Sequence, residues 1–224
     1  MKNNKNSVLF VIPDQYGYSA GYTYYCKYLT KLGYKVGVIC LDSGKPKKQL
    51  YYNETVFYVN YSKNVISYRL EMLKTIYKVK NDYNNIVLKC FPGVSISLVV
   101  LLGKRTWLDI RTGSVRRKKL HRTIENLLIK MESLFFRKIF ILSLSLAKEL
   151  SLPSKKVIWL PLGADEISKK IKTYTDSMHL LYIGTLFGRN IHECIEGFAK
   201  FYNENKDKLK LHFDIIGDGP DFDK

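Results

Sequence analysis

The chain has 224 residues, 46% of them hydrophobic and 25% charged, and its 37 Lys and Arg against 20 Asp and Glu give a net charge of +17. These are globular proportions with ample apolar material for a core, which excludes a disordered or low-complexity chain. The charge is uneven, because residues 1–163 carry 28 Lys and Arg against 9 Asp and Glu, while residues 164–224 carry 9 against 11.

Residues 7–13 (SVLFVIP) form a continuous apolar run, the pattern of a strand buried on both faces. A loop over 14–21 with Gly17 and Gly21 follows, then a helix from about Tyr22 that Gly33 closes at the usual C-terminal glycine position. A second apolar strand over 35–41 completes a βαβ unit, whose right-handed crossover makes the two strands parallel. The alternation continues with a strand over 56–60, an amphipathic helix over 65–82 and a strand over 85–90. Next come a short buried helix over 94–102, a strand over 106–110 and a long helix over about 118–136. A strand over 138–143, a short helix over 144–150 and a strand over 156–160 close the series. Strands alternating with helices predict a doubly wound α/β sheet, a Rossmann-like domain over 1–163. Residues 164–177 read as a linker. The βαβ logic then restarts over 178–224 with a strand, a loop over 184–190, a helix over 191–205 and a strand over 209–216. That piece predicts the opening of a second Rossmann-like domain, too small to bury a core of its own.

Cys26, Cys40, Cys90 and Cys194 lie far apart in apolar stretches, as small buried hydrophobes in a reducing compartment do. His121, His179, His192 and His212 form no ligand cluster, so no metal is expected. The polar N-terminus runs straight into the first strand without a signal peptide. The most apolar stretch, 94–102, is about half the roughly 20 residues that span a bilayer.

Four stretches carry candidate chemistry. The first loop, with Gly17 and Gly21, lacks the G-x-G-x-x-G spacing of a dinucleotide site. It still ends at a helix N-terminus, which favours an anion or polar sugar, although a turn alone also needs glycine. Asp109 and Arg111, two apart after a buried strand, form an ion pair or meet a ligand at the carboxyl edge of the sheet. Arg116, Arg117, Lys118 and Lys119, with His121 and Arg122, open a helix at the end where the dipole disfavours cations. The readings of that run are membrane phosphate, nucleic acid or a solvated helix start. Nucleic acid has no helix-turn-helix or RNA-binding aromatic pattern behind it and is the unlikely partner. Finally, Gly184, Thr185 and Arg189 lie between a strand and a helix N-terminus, a reasonable diphosphate site or a plain turn with a surface Arg.

The order of these pieces resembles glycosyltransferase family 4, whose members have two facing Rossmann-like domains (the GT-B fold). The resemblance rests on VLFVIP at 8–13, GYTYYCKYLTKLGYKVGVI at 21–39 and VIWLPLGAD at 157–165. It continues in LLYIGTLFGRNIHECIEGFAKF at 180–201 and LHFDIIGDGP at 211–220. It implies a retaining, metal-independent transferase without a cofactor. Such an enzyme moves sugar from a nucleotide diphosphate-sugar to a glycan or lipid-linked acceptor, in the cytoplasm or peripherally on the inner face of the membrane. It implies donor diphosphate contacts at Gly184, Thr185, Arg189 and Gly217, and acceptor or sugar contacts at Gly17, Gly21, Asp109 and Arg111. Thr185 stands where the family has an Arg, and Arg189 where it has a Lys, leaving one cation of two. The family's paired glutamates fall beyond Lys224, so the expectation is a truncated chain, impaired or inactive in transfer. The alternative is a non-catalytic basic module binding anionic membrane or nucleic acid.

Overall fold

The computed structural model describes residues 6–50, 53–116, 118–163 and 176–219. The chain divides into two compact units, Met1–Ala164 and Asp165–Lys224. Most of the expected linker, Arg117 of the basic run and Pro220 of the GDGP segment lie outside the described residues.

The first unit is built on seven strands, β1 (Ser7–Val11), β2 (Lys35–Asp42), β3 (Thr55–Asn60), β4 (Asn85–Lys89), β5 (Arg105–Ile110), β6 (Lys138–Ile141) and β7 (Val157–Trp159). They pair in the order β3-β2-β1-β4-β5-β6-β7, every pair parallel. The chain moves outward from β1 to β3, returns to place β4 on the other side of β1, and proceeds to β7. The strand order thus reverses between β1 and β4. Helices α1 (Ala20–Lys31), α2 (Val65–Val79), α3 (Lys119–Leu134) and α4 (Leu144–Glu149) make the crossovers with a 3-10 segment, Val94–Leu101.

Two apolar clusters fill the two sides of the sheet. Alternate residues of β1, Val8 and Phe10, join Tyr22 and Cys26 of α1 on one side. Leu9 and Val11 join Met72 and Ile76 of α2, Val94 and Leu101 on the other. This is the period-two alternation of a strand with both faces covered. Asn64 caps α2, its side-chain oxygen accepting from the N–H groups of Ile66 and Ser67. Ser143 caps α4 through Leu146. At α3 the N-cap is Lys118, which makes no capping bond, and the first turn has no acid.

Three expectations are corrected. Helix α1 starts two residues early, with Ser19 at its N-cap, so Gly21 lies in its first turn and not in the loop. The 94–102 stretch forms a 3-10 helix over Val94–Leu101 that buries Val94, Ser97 and Leu101 and exposes Ile96, Val99 and, just past its end, Leu102. With about three residues per turn, only a narrow stripe can face the core. Cys194 is exposed, whereas Cys26 and Cys40 are buried.

The second unit pairs β8 (Ser177–Ile183) parallel to β9 (Lys210–Ile216), joined through α5 (Ile191–Asn205). Two strands and one helix leave large apolar side chains such as Ile183, Ile195 and Ile216 exposed. Among the described residues, no helix is long and apolar enough to cross a membrane.

One glycine is set by packing. Gly37, in the middle of β2, lies where an added Cβ would fall on the ring of Tyr83, itself 1% exposed. Gly37→Ala must displace that ring, and overpacking of this kind costs about 1–3 kcal/mol. Urea unfolding is expected to show the corresponding fall in midpoint, which Gly163→Ala, in open space, does not produce.

Candidate functional site

In an all-parallel sheet the carboxyl ends of the strands share one edge, and the crevice where strand order reverses is the usual ligand position. Here that point lies between β1 and β4, and a pair of charges bridges it. Lys89, the last residue of β4, is ion-paired to Asp14 in the loop after β1. Next along the edge, Lys89 stands in register with Asp109 of β5.

Asp109 is 1% exposed. Its Oδ2 accepts from the Tyr22 hydroxyl at 2.6 Å and from Arg111 Nε at 2.8 Å. Arg111 also donates from Nη2 to the Tyr25 hydroxyl, and its guanidinium lies 4.9 Å from the Tyr25 ring centroid. Tyr22 and Tyr25, one turn apart on α1, pack edge-on to each other, and both rings rest on Phe10 of β1. Gly21 sits beside this group, with an added Cβ 3.9 Å from the Arg111 guanidinium. Burial, reinforced by the charge of Asp109 and the hydrogen bond to it, holds the Tyr22 hydroxyl well above the usual phenol range. Burial raises Tyr25 as well, against the opposing charge of Arg111. Both phenols are therefore neutral at ordinary pH, Tyr22 donating to Asp109 and Tyr25 accepting from Arg111.

A cleft of about 310 Å³ opens beside this cluster, walled by Lys89–Pro92, by Arg111–Val115 and by α3. Its loops are tied to α3 by three side chains. The Ser114 N–H donates to Asn126 Oδ1 at 2.7 Å. Glu125 accepts from the Ser114 hydroxyl and from Arg116 Nε, and these bonds lower its pKa. Glu132 accepts from the N–H groups of Gly93 and Ser95 at 2.7 and 2.8 Å. Cys90 lines the cleft, but burial pushes its thiol up to about 12, so it is no thiolate nucleophile. With Lys89, Arg111, Thr112 and Ser114 on its wall and Glu125 and Glu132 opposite, the cleft offers both donors and acceptors to a hydroxyl-rich ligand.

The remaining predicted residues divide as follows. Asp109, Arg111 and Gly21 come together. Gly17, at φ +84°, turns the first loop, and an added Cβ there would collide with the stem of Lys48. That loop is tied inward. The Gln15 side-chain oxygen accepts from the Ser43 and Lys45 N–H groups, and the Tyr16 hydroxyl donates to buried Glu54. Arg116 faces Glu125, and Lys118, Lys119 and Arg122 are exposed at the start of α3.

In the second unit, Gly184 and Gly217 continue the β8–β9 pairing. The Gly184 N–H donates to Ile216 at 3.0 Å and the Leu186 N–H to Asp218 at 3.1 Å. An added Cβ at Gly217 would fall on the Gly184 carbonyl, so only glycine permits that approach. Thr185 accepts from the Phe187 N–H. Arg189 is exposed and directly precedes Asn190, the left-handed N-cap of α5. Among the described residues, no group of three His, Cys, Asp or Glu is placed to hold a metal ion.

The sequence reading missed Tyr22, Tyr25 and the Asp14–Lys89 pair. One signal was available, a lysine ending the apolar β4 and an aspartate near the end of the apolar β5.

No protein-family model and no curated protein matches the sequence. Among solved structures, WaaG, a glycosyltransferase involved in lipopolysaccharide biosynthesis, superposes with a TM-score of 0.62 at 13% identity, covering 95% of this chain and 64% of that one. A glycosyltransferase from Rickettsia africae ESF-5 gives 0.56 at 12%, covering 97% and 69%. The UDP-GlcNAc 2-epimerase from Methanocaldococcus jannaschii gives 0.57 at 12%, covering 97% and 66%. The chain spans about two thirds of the length of these proteins. The likeness is one of fold, the Rossmann-like α/β architecture of GT-B glycosyltransferases that the sequence led us to expect.

The buried phenols set a pH dependence. A phenol whose pKa is raised on folding contributes stability that is fully present below its unfolded pKa of about 10 and is lost as pH rises through the folded value. Tyr22→Phe removes a hydrogen bond to a carboxylate and is expected to cost about 1.5–3 kcal/mol at pH 7. Its stability should fall less steeply than the parent's above about pH 10. Urea unfolding across that range measures both, and an unchanged alkaline slope would contradict the assignment.

Proposed function

We propose that the protein is a glycosyltransferase of the GT-B kind, moving a sugar from a nucleotide diphosphate-sugar to a glycan or lipid-linked acceptor with retention and without a metal. The observation that carries this reading is the buried Asp109–Arg111–Tyr22 cluster beside an open cleft past the carboxyl ends of β4 and β5. It occurs in a fold shared with two glycosyltransferases and a nucleotide-sugar epimerase. In this reading the cleft of the first unit holds the acceptor. Arg111, already oriented by Asp109, presents charge and donors to acceptor hydroxyls or the transferred sugar. The loop of the second unit holds the donor diphosphate, with Arg189 and backbone N–H groups opposing the charge that develops on the leaving group. Such stabilisation needs no covalent nucleophile.

The test combines binding and turnover. Calorimetric titration with UDP, GDP and ADP is expected to find one nucleoside diphosphate that binds. Arg189→Ala should weaken it about tenfold, as expected for loss of a charge-assisted bond. Incubation with nucleotide sugars and lipid-linked or glycan acceptors is expected to give a product of retained anomeric configuration. Absence of both binding and transfer, or sugar isomerisation without an acceptor, would reject the reading.

One observation favours a second reading, a basic module seated on anionic membrane. Leu120, Ile124, Leu127, Met131 and Leu134 are all exposed on α3. Their spacing places them on one face, with Lys118, Lys119 and Arg122 at its start and Lys130 along its length. An apolar face flanked by cations suits the interface of an anionic bilayer. Sedimentation with phosphatidylglycerol vesicles, but not with phosphatidylcholine vesicles, is expected, and Leu127→Asp should abolish it. Vesicle binding in a protein that neither binds nucleotide nor transfers sugar would favour this module over the enzyme.

A further inference from the structure

Arg69 of α2 differs from the cations of the sheet edge. Lys89 has Asp14 and Arg111 has Asp109 as partners. The guanidinium of Arg69 instead lies on the face of Phe91, 3.8 Å from the ring centroid. Its Nε and Nη1 are buried and have no hydrogen-bond acceptor.

Arg69 lines a cleft of about 230 Å³ between α2 and the Phe91–Ser97 stretch, and no carboxylate lines it with it. The backbone N–H groups of Gly93 and Ser95 are already taken by Glu132, leaving the guanidinium as the cleft's cation. The rim is apolar and open to solvent, with Ile66 70%, Leu70 52% and Ile96 60% exposed. Val99 and Leu102 extend the exposed apolar surface along the 3-10 segment. Phe91 and Pro92 also wall the cleft beside Arg111, so the two clefts are neighbours within the first unit.

A half-buried cation with two nitrogens that no acceptor meets and no carboxylate in its cleft, set among exposed aliphatic side chains, is complementary to one class of ligand. A sugar or free nucleotide would leave the aliphatic rim wet, and a neutral lipid would leave the cation unpaired. We propose that the Arg69 cleft binds the anionic head, a phosphate or carboxylate, of an amphiphile whose chain lies along Ile66, Leu70 and Ile96. The head pairs with the guanidinium where it lines the cleft. Use of this cleft to anchor a lipid-linked acceptor rests on the transferase reading; the binding itself does not.

The test is calorimetric titration of the full chain with dodecyl phosphate below its micelle concentration. Inorganic phosphate and a neutral dodecyl maltoside serve as controls. One saturable site is expected for dodecyl phosphate, with no measurable binding of either control. Arg69→Gln should weaken it about tenfold or more, as for loss of a charge-assisted contact. Ile96→Ser, at an exposed position and read beside an unfolding curve, should weaken it several-fold with the fold intact. Binding that is unchanged in Arg69→Gln, or equal for the neutral amphiphile, would overturn the proposal whether or not sugar transfer is ever observed. Phosphatidylglycerol vesicles separate the two sources. Arg69-dependent vesicle binding supports a membrane lipid headgroup as occupant, and Arg69-dependent binding of the monomer alone supports a free amphiphile.

Discussion

A carboxylate 1% exposed to solvent is tolerable only if a cation and hydrogen-bond donors replace its water. Asp109 meets that condition through Arg111 and Tyr22, and the geometry around it follows. Arg111 must turn back towards β5, which brings its guanidinium to Tyr25. Tyr22 and Tyr25 must both face the sheet, which fixes the rotation of α1 about its axis. Phe10 of β1 packs against both rings, so one buried charge locks α1 to β1 and β5 across the strand-order reversal. The polar edge therefore has structural consequences before any ligand is considered. A ligand entering the cleft meets Arg111 already oriented by Asp109, which lowers the ordering cost of binding.

The same pairing explains why part of this site was readable from sequence and part was not. Asp109 and Arg111 are two apart in one strand-and-loop segment, so local spacing suffices to put them together. Tyr22 lies 87 positions from Asp109, and Lys89 lies 75 from Asp14. Those contacts depend on β4 lying next to β1, with β5 beyond it, an order that a list of alternating elements does not reveal. The elements themselves were legible because a parallel sheet covered on both faces writes its strands as unbroken apolar runs. The exception was 94–102. Its composition is as apolar as any strand, and nothing in composition distinguishes a fully buried helix from a 3-10 segment with one face in water. Arg69 was hidden for the opposite reason, since a single arginine on an amphipathic helix looks like surface until its partner proves to be an aromatic ring.

The first loop is held largely by contacts within the protein. Its end does lie at the carboxyl edge, yet Gln15, Tyr16 and Tyr18 spend their polar groups on the segment after β2 and on Glu54. Gly17 serves the turn and the stem of Lys48. In the second unit the glycines do more. The backbone of Gly217 reaches that of Gly184 at a distance no side chain allows, which keeps the loop ends narrow and leaves their N–H and carbonyl groups close together. Backbone approach of that kind is what a polyanion-binding loop needs, although the same close pairing also simply extends a sheet.

The basic character of the first unit takes on a different meaning once the tyrosines are placed. Lys35 lies over Tyr83 at 5.0 Å, Lys45 over Tyr18 at 4.8 Å, Lys47 over Tyr58 at 4.6 Å and Lys80 over Tyr77 at 4.6 Å. Lys27 and Lys48 are similarly placed over Tyr24 and Tyr18. At exposed sites each contact contributes about 0.5–1 kcal/mol, so a chain with 17 tyrosines draws surface cohesion from lysines laid over their rings, Lys47 being paired with Asp42 at 3.4 Å as well. A count of positive charge is therefore a poor guide to where this protein meets an anion. The better criterion is a cation that the fold desolvates without supplying an acceptor. By that measure the scattered lysines recede, Lys89 and Arg111 are already matched by their carboxylates, and Arg69, with two nitrogens that no acceptor meets, is the cation on which the proposed site rests.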